Sequence, residues 1–282
     1  MIVDCHTHID FSTDEPGIEG HLAAADMVDA CVVLPCPGQD RHLINQRASQ
    51  YVNDHKKRMI GFAVVEPAHD QIDKAFLKEL TEDFKLHGFV LYCSAYGFHP
   101  THSSAMRFYA SVQGLGLPLF FHSGDLDTGT NSNLAYAQPY LLDEVARTFP
   151  GLKIIIGSMG VPFVAQTLAV LARHKNVYAD LTILPRNVWQ TYNMVVGAHE
   201  QGVMGQLVFG SGYPSSNAKD CLETLLGFNT LLGGTNLPTV PRGSIRNVIE
   251  RNSLELLSVE HSHIETSEEL LPEEDTGENQ ET

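Results

Sequence analysis

The sequence has 282 residues, of which 43% are hydrophobic and 18% charged, and its formal net charge is −16. This composition supports a sizeable hydrophobic core and excludes a wholly disordered chain. Nine of the 34 acidic residues lie in residues 260–282, which contain no Lys or Arg, so the rest of the chain is only mildly acidic. That balance argues against nucleic acid and anionic membranes as partners.

We expect neither a targeting segment nor disulfides. The five cysteines are odd in number and show no C-x-x-C spacing, which is typical of free thiols in a reducing compartment. The N-terminal stretch MIVDCHTH lacks the basic and apolar regions of a signal peptide. No apolar run approaches the roughly 20 residues of a membrane span. The sequence therefore predicts a soluble, cytoplasmic protein.

Eight short apolar segments predict β-strands, and they alternate with segments of helical periodicity. The predicted strands lie at 1–6, 30–35, 59–65, 88–93, 117–122, 152–157, 176–181 and 206–211. The predicted helices lie at 41–55, 71–87, 104–116, 138–149, 162–174 and 244–257. Ser244 is the expected N-cap of the last helix. Strands that alternate with helices indicate parallel pairing, and eight of them favour a single closed (β/α)8 TIM-like barrel, regular or distorted.

The chain is expected to form one domain with a tail. No G-x-G-x-x-G pattern follows the first strand, so no nucleotide cofactor is expected. We assign residues 1–258 to the barrel. Residues 259–282 are acidic and without hydrophobic periodicity, and we expect them to be disordered. A structural or regulatory protein that acts through this tail is one alternative function.

Three histidines stand where a barrel of this kind carries its chemistry. Catalytic residues of such barrels lie at the carboxyl ends of the strands. His6 and His8 end the first predicted strand, and side chains two residues apart share one face of a strand. His122 ends the fifth. Three imidazoles on one rim predict a divalent metal site with an open position for water.

Several motifs in this order resemble the amidohydrolase superfamily. They are DCHTHI, GFAVVEP, LPLFFHSG, FPGLKIIIGSMG and LVFGSGYP. The similarity is greatest to the branch that contains 2-amino-3-carboxymuconate-6-semialdehyde decarboxylase, related non-oxidative decarboxylases and lactone hydrolases, and it covers about residues 1–257. It implies a distorted (β/α)8 barrel with one divalent metal, often zinc. His6, His8 and His122 match three of the family's metal ligands.

Two positions depart from the pattern of that family. Its sixth strand ends in a histidine where this chain has Ser158, and its G-S-D-Y-P motif at the eighth strand has an aspartate where this chain has Gly212. In the family the aspartate ligates the metal and handles the proton of the bound water, so both residues mark catalytic positions without their usual side chains. Loss of a general base typically costs about 10² to 10⁴ in rate. The fourth strand offers no lysine to bridge two metals, so one metal is expected.

Three carboxylates are candidate substitutes for the missing acid. Asp180 lies on the seventh predicted strand, and Asp125 and Asp127 follow His122. Asp4 precedes His6 by two residues and lies deeper in the barrel, where we interpret it as a structural partner rather than a ligand.

The loop after the fourth strand is the expected place for substrate specificity. Tyr92, Tyr96, His99 and His102 are predicted to line the pocket there. The resemblance favours a metal-dependent hydrolase, or a non-oxidative decarboxylase of the same type, that acts through activated water on a small carbonyl or carboxylate substrate. The alternative is a catalytically degenerate barrel that binds a ligand or partner without turnover. Homo-oligomerisation is left open.

Overall fold

The computed structural model describes residues 1–122 and 132–264. Its strands are β1 (Val3–Ile9), β2 (Ala30–Pro35), β3 (Met59–Gly61), β4 (Ala63–Val64), β5 (Phe89–Leu91), β6 (Leu119–Phe121), β7 (Ile154–Ile156), β8 (Val177–Thr182) and β9 (Leu207–Gly210). Its α-helices are α1 (Ile18–Ala24), α2 (Arg41–Asp54), α3 (Lys74–Lys78), α4 (Cys93–Tyr96), α5 (Ser103–Leu115), α6 (Leu142–Thr148), α7 (Val164–Arg173), α8 (Val188–Glu200), α9 (Ala218–Leu226), α10 (Arg242–Glu250) and α11 (Ser253–Leu256). Short 3₁₀ helices lie at Ala25–Met27, Leu134–Tyr136, Pro139–Leu141, Gly157–Gly160, Met204–Gln206 and Phe228–Leu232, and a π-helix lies at Glu79–Asp83.

The strands form a closed parallel barrel with eight positions. Parallel pairing runs through β1–β2–β3 and through β4 to β9 in sequence order, and β3 and β4 are two halves of one strand interrupted at Phe62. Two backbone hydrogen bonds join the last strand to the first. Gly212 N–H donates to His6 O at 2.8 Å, and His8 N–H donates to Tyr213 O at 2.9 Å. The predicted (β/α)8 barrel is thereby confirmed.

Asn45 of α2 continues the sheet past the interruption in the third barrel strand. Phe62 N–H still donates to Val33 O at 3.1 Å, but the next pairing residue of β2 is Pro35, which has no N–H. Asn45 takes over the pairing with its side chain. Its Nδ2 donates to Val64 O at 2.9 Å, and its Oδ1 accepts from Val64 N–H at 2.8 Å. The amide therefore satisfies two buried backbone groups at once.

Asn45→Asp is expected to destabilise the protein by about 2–4 kcal/mol, because a carboxylate cannot donate to Val64 O and brings a charge into a buried site. Urea unfolding followed by circular dichroism measures the change. Asn247→Asp, on the exposed side of α10, is the matched control and should cost less than about 0.5 kcal/mol. Equal losses in the two variants would contradict the role assigned to Asn45.

The helix predicted over 71–87 is helical for part of its length but is not all α-helix. α3 ends at Lys78 and the π-helix follows directly. The Thr81 hydroxyl donates to Leu77 O at 2.9 Å. Bonding of this kind to the carbonyl four residues earlier competes with the regular helical pattern and often distorts a helix.

The prediction of one terminal helix over 244–257 was wrong in two respects. The first helix, α10, begins at Arg242, so Ser244 lies inside its first turn and is not the N-cap. A second helix, α11, follows because the Asn252 side chain accepts hydrogen bonds from two backbone N–H groups of α11 at 3.2 Å. Such a cap starts a new helix and ends the old one.

The chain continues to pack against the barrel up to residue 264. Val259 and Ile264 are buried, and the His263 ring stacks on His87 with centroids 5.8 Å apart. Residues 265–282, which make up most of the predicted disordered tail, lie outside the described residues, so their disorder stays a prediction.

Two further expectations concern the chain as a whole. All five cysteines are free thiols, and all but Cys36 are buried. Among the described residues, no helix combines the length and the apolar character that crossing a lipid bilayer requires.

Candidate metal centre

β1 carries two of the predicted ligands at its carboxyl end. Residues two apart on a strand face the same side, and here His6 and His8 both face the barrel interior beside a cavity. The pairing of β1 with β2 shifts register between Asp4 and Thr7. Irregularities of this kind re-aim side chains next to active sites.

The third predicted ligand, His122, follows β6 and meets the other two. His6 Nε2 lies 2.8 Å from His8 Nε2, and His122 Nε2 lies 3.1 Å from His8 Nε2. The three side chains offer nitrogens that all lie within 4.8 Å of one another. Nitrogens bound to a tetrahedral zinc at about 2.0–2.1 Å lie about 3.3 Å apart. The cluster therefore has nearly the spacing of a metal site.

The outer nitrogens of two rings fix where the protons sit. His8 Nδ1 lies 3.0 Å from Leu34 O, and a carbonyl oxygen can only accept. His6 Nδ1 lies 3.0 Å from a carboxylate oxygen of Asp180. In neutral rings these partners favour a proton on Nδ1, which would turn the bare lone pairs of the two Nε2 atoms toward each other. Two such lone pairs at 2.8 Å cannot hydrogen-bond, whereas a cation between them would be stabilised by both.

The surroundings keep His8 uncharged. Burial holds the pKa of His8 well below its usual value, and the neighbouring His6 and His122 lower this pKa further. A neutral imidazole is the form that ligates metal ions. The donor chemistry of the cluster thus fits a divalent ion.

Asp180, near the end of β8, is a fully buried carboxylate on the far side of the His6 ring. Its Oδ1 lies 3.0 Å from His6 Nδ1 and accepts from the Thr182 hydroxyl and N–H, while its Oδ2 accepts from Ser158 N–H at 2.8 Å. Because Nδ1 and Nε2 point away from each other, Asp180 does not replace the missing ligand directly. It contacts the cluster through His6.

Asp4 has the structural role that its position in β1 predicts. Its Oδ1 accepts from Ser211 N–H at 2.8 Å and from His6 N–H at 3.2 Å. Burial raises the pKa of Asp4 to about 6, and the hydrogen bonds from Ser211 oppose this rise. The carboxylate therefore ties β1 to the end of β9.

Gly212 leaves no room for the acid that the resemblance leads one to expect. Its φ is +67°, a region that side chains other than glycine rarely adopt. A Cβ at this position would lie 2.6 Å from Thr182 Cγ2. The Thr182 methyl group occupies the space into which a side chain at 212 would project.

Ser158 also adopts a left-handed conformation, with φ 47° and ψ 39°. Such a residue costs roughly 1–2 kcal/mol, and the hydrogen bond from its N–H to Asp180 helps to hold it. Ser158 and Gly212 both line a cavity of about 310 Å³ that opens beside His6 and His8. The two departures therefore face the same space as two of the predicted ligands.

The cavity also contains residues that the sequence analysis did not single out. They are Val161, Thr182, Leu184, Arg186, Asn187, Gln190 and Ser215. Arg186 is exposed at the wall of the cavity, and within residues 1–122 and 132–264 it forms no ion pair. Its place directly after the seventh barrel strand was the one signal that could have identified it.

The four residues predicted to bind substrate have different surroundings. Tyr92 is buried, with its ring centroid 4.8 Å from that of His122 and its hydroxyl donating to Pro35 O. Tyr96 is held by Gly38 and lies under the Arg41 guanidinium.

His99 and His102 contact their own loop and helix. His99 Nδ1 accepts from Thr101, and His102 is exposed and caps α5. None of the four is among the described residues that line the 310 Å³ cavity. Their substrate-binding role stays a prediction, and the alternative acids Asp125 and Asp127 lie outside the described residues.

Comparison with known proteins identifies one matching family and several structures of similar fold. A model of the amidohydrolase family matches residues 3–233. No curated protein matches the chain. The chain is similar in fold to 5-carboxyvanillate decarboxylase LigW from Sphingomonas paucimobilis, with a TM-score of 0.66 and 14% identity over 92% of this chain and 99% of that one.

Two other solved structures are similar to nearly the same extent. A probable 2-pyrone-4,6-dicarboxylic acid hydrolase from Acinetobacter baumannii with citric acid bound gives a TM-score of 0.64 at 14% identity, over 91% of this chain and 99% of that one. A dihydroxybenzoic acid decarboxylase from Polaromonas sp., with manganese and 2-nitroresorcinol bound, gives 0.62 at 14% identity, over 91% and 96%. At these identities the likeness concerns the fold.

Proposed function

The chain belongs to the amidohydrolase family, and we propose that it is a metal-dependent hydrolase of a small carbonyl or carboxylate substrate. The observation that carries the proposal is the meeting of His6, His8 and His122, with the Nε2 atoms of His6 and His122 2.8 and 3.1 Å from that of His8, beside an open cavity. A divalent ion held there would polarise a carbonyl oxygen and lower the pKa of a bound water. Zinc suits three imidazole ligands, and manganese is the second ion to test.

Different residues of the chain serve ligation and substrate binding. His6, His8 and His122 hold the ion, and the Leu34 carbonyl keeps the His8 ring in the protonation state that ligation needs. The substrate occupies the 310 Å³ cavity, whose volume suits a small molecule. Polar contacts there come from Ser158, Thr182, Asn187, Gln190 and Ser215.

We assign the recognition of a substrate carboxylate to Arg186. Its guanidinium has donors in a planar fork that matches a carboxylate. Arg186→Gln should raise KM for carboxylate substrates by about 10- to 100-fold with a smaller change in kcat, because a charge-assisted hydrogen bond is worth about 1.5–3 kcal/mol. Arg246→Gln, on the exposed face of α10, is the control and should leave KM unchanged. An unaltered KM in Arg186→Gln would contradict the assignment.

The proposal is tested first by metal content and then by turnover. The purified protein, dialysed against zinc or manganese, should hold about one ion per chain. The loaded protein should hydrolyse a member of a panel of carboxylated lactones and esters, and aromatic carboxylic acids test decarboxylation in parallel. Absence of stoichiometric metal would overturn the proposal. Carbon dioxide release without hydrolysis would reassign the reaction to decarboxylation.

Ser158 and Gly212 favour a second candidate, a barrel that binds a ligand without turnover. The cavity contains neither the imidazole nor the acid that the resemblance implies at these two positions. Saturable binding of a carboxylate to the metal-loaded protein, together with no turnover across the whole panel, would support this candidate.

A further inference from the structure

Asp180 links the predicted ligand His6 to Ser158 and Gly212, the two positions that depart from the family pattern. Its Oδ1 contacts His6, its Oδ2 accepts from the backbone of Ser158, and its partner Thr182 fills the space beside Gly212. The carboxylate is fully buried, and the groups facing it are hydrogen-bond donors. That environment suits an acceptor-only, ionised carboxylate.

A gap in β9 allows Asp180 to reach His6. β9 lies between β8, which carries Asp180, and β1, which carries His6. Gly210 occupies the intervening position, where a Cβ would lie 2.7 Å from His6 Cβ, 2.7 Å from Thr182 Oγ1 and 3.2 Å from Asp180 Oδ1. A side chain at 210 would therefore stand between the carboxylate and the ring. Glycine at this position makes the contact across the strand possible.

From this arrangement we infer that Asp180 is a positioning residue of the metal centre: acting from β8, it supplies the negative charge that Gly212, two residues after β9, cannot provide. It does so through His6, holding the proton on Nδ1 and directing the lone pair of Nε2 into the cluster. Three neutral imidazoles bring no charge of their own to a dication, and a carboxylate behind one ring raises the basicity of that ligand. This inference rests on the proposed metal-dependent function.

Asp180→Asn tests the inference because it keeps the shape and replaces the carboxylate with an amide. The asparagine oxygen can still accept from Ser158 N–H, but its amide then donates to His6 Nδ1. The ring proton is thereby moved to Nε2 and points into the cluster. We expect cobalt(II) affinity, followed by the d–d absorption, to fall by about 10- to 100-fold. The melting temperature of the metal-free protein should fall only moderately, because Thr182 N–H loses its carboxylate acceptor while an Nε2–H of His6 can donate to His8.

Asp4→Asn is the matched control, because it also removes a buried carboxylate from this end of the barrel, but one that contacts the backbone of His6 and the backbone and side chain of Ser211 rather than a ligand ring. Its cobalt affinity should change by less than about threefold. Equal cobalt affinity in Asp180→Asn and wild type would overturn the role of Asp180 alone. Failure of wild type to bind cobalt would overturn the proposed function and the role of Asp180 with it.

A measurement on the metal-free wild type holds even if Asp180→Asn does not fold. Long-range ¹H–¹⁵N correlation spectra report which ring nitrogen of His6 carries the proton. We expect the Nδ1–H tautomer in wild type and the Nε2–H tautomer in Asp180→Asn. An Nε2–H tautomer in wild type would overturn the inference without reference to metal or activity.

Discussion

His8→Ala is expected to abolish stoichiometric binding of zinc or manganese and, with it, turnover. His8 is the central member of the cluster, since its Nε2 lies within 3.1 Å of both other Nε2 atoms. Removing it leaves two ligands that face each other without the nitrogen between them. The loss of metal affinity should exceed the about 10- to 100-fold typical for loss of a ligand's hydrogen-bond partner. Isothermal titration with each metal measures it.

His42→Ala provides the comparison for this variant. His42 is a mostly exposed histidine of α2, and the only ion pair found for it in the described part of the chain is a long one, at 3.8 Å, to Glu79. Metal affinity and melting temperature of His42→Ala should match wild type. Retention of one tightly bound ion by His8→Ala would show that the metal is held elsewhere, and the proposed centre would have to be abandoned.

Gly212→Asp is expected to fail on its own as a restoration of the missing acid. The new Cβ would lie 2.6 Å from Thr182 Cγ2, and the backbone would keep a left-handed φ of +67°. Overpacking costs about 1–3 kcal/mol and a non-glycine residue at this φ roughly 1–2 more. We therefore expect a loss of about 2–5 kcal/mol in unfolding free energy and no gain in turnover.

Thr182→Ser/Gly212→Asp should behave differently, because serine lacks the obstructing methyl group but keeps the hydroxyl that donates to Asp180. The double variant should recover the stability that overpacking costs Gly212→Asp, while the cost of the left-handed backbone remains. If the barrel is an impaired hydrolase, its turnover should exceed that of Thr182→Ser by at least about tenfold, since a general base contributes about 10² to 10⁴. Chemical unfolding and the ester panel give the two readouts. A single Gly212→Asp variant as stable as the double one would disprove the steric argument.

Most of the barrel was predictable because each strand is a short apolar run that ends at a polar or glycine-containing turn. The interruption at Phe62 was not, because it depends on Asn45 reaching from a helix to a strand that lies elsewhere in the chain. The π-helical form of Glu79–Asp83, within the predicted helix at 71–87, was not predictable for a related reason. The Thr81 hydroxyl donates to Leu77 O and distorts the helix there. The helical periodicity of the sequence gives no sign of such a bond.

The same distinction applies to the site: residues placed by strand order were predictable, and residues placed by contacts between distant segments were not. His6, His8 and His122 could be predicted because strand order alone brings their positions to one rim of the barrel. The role of Asp180 could not, since it requires a glycine on the strand between it and His6. Arg186 could not be predicted as a cavity residue because exposed arginines are common in loops. Cytoplasmic location and the disorder of the tail stay predictions from the sequence, and homo-oligomerisation stays open.

The hydrogen bonds that join β9 to β1 have a consequence for how the protein matures. His6 and His8 leave the ribosome before their partners, since the carboxylate behind His6 is synthesised about 170 residues later and the segment that pairs with both histidines about 200 residues later. A nascent chain that ends before β8 would have three histidines and no Asp180 to orient them. The centre therefore becomes competent only when the two ends of the barrel meet, so a nearly complete fold precedes the site.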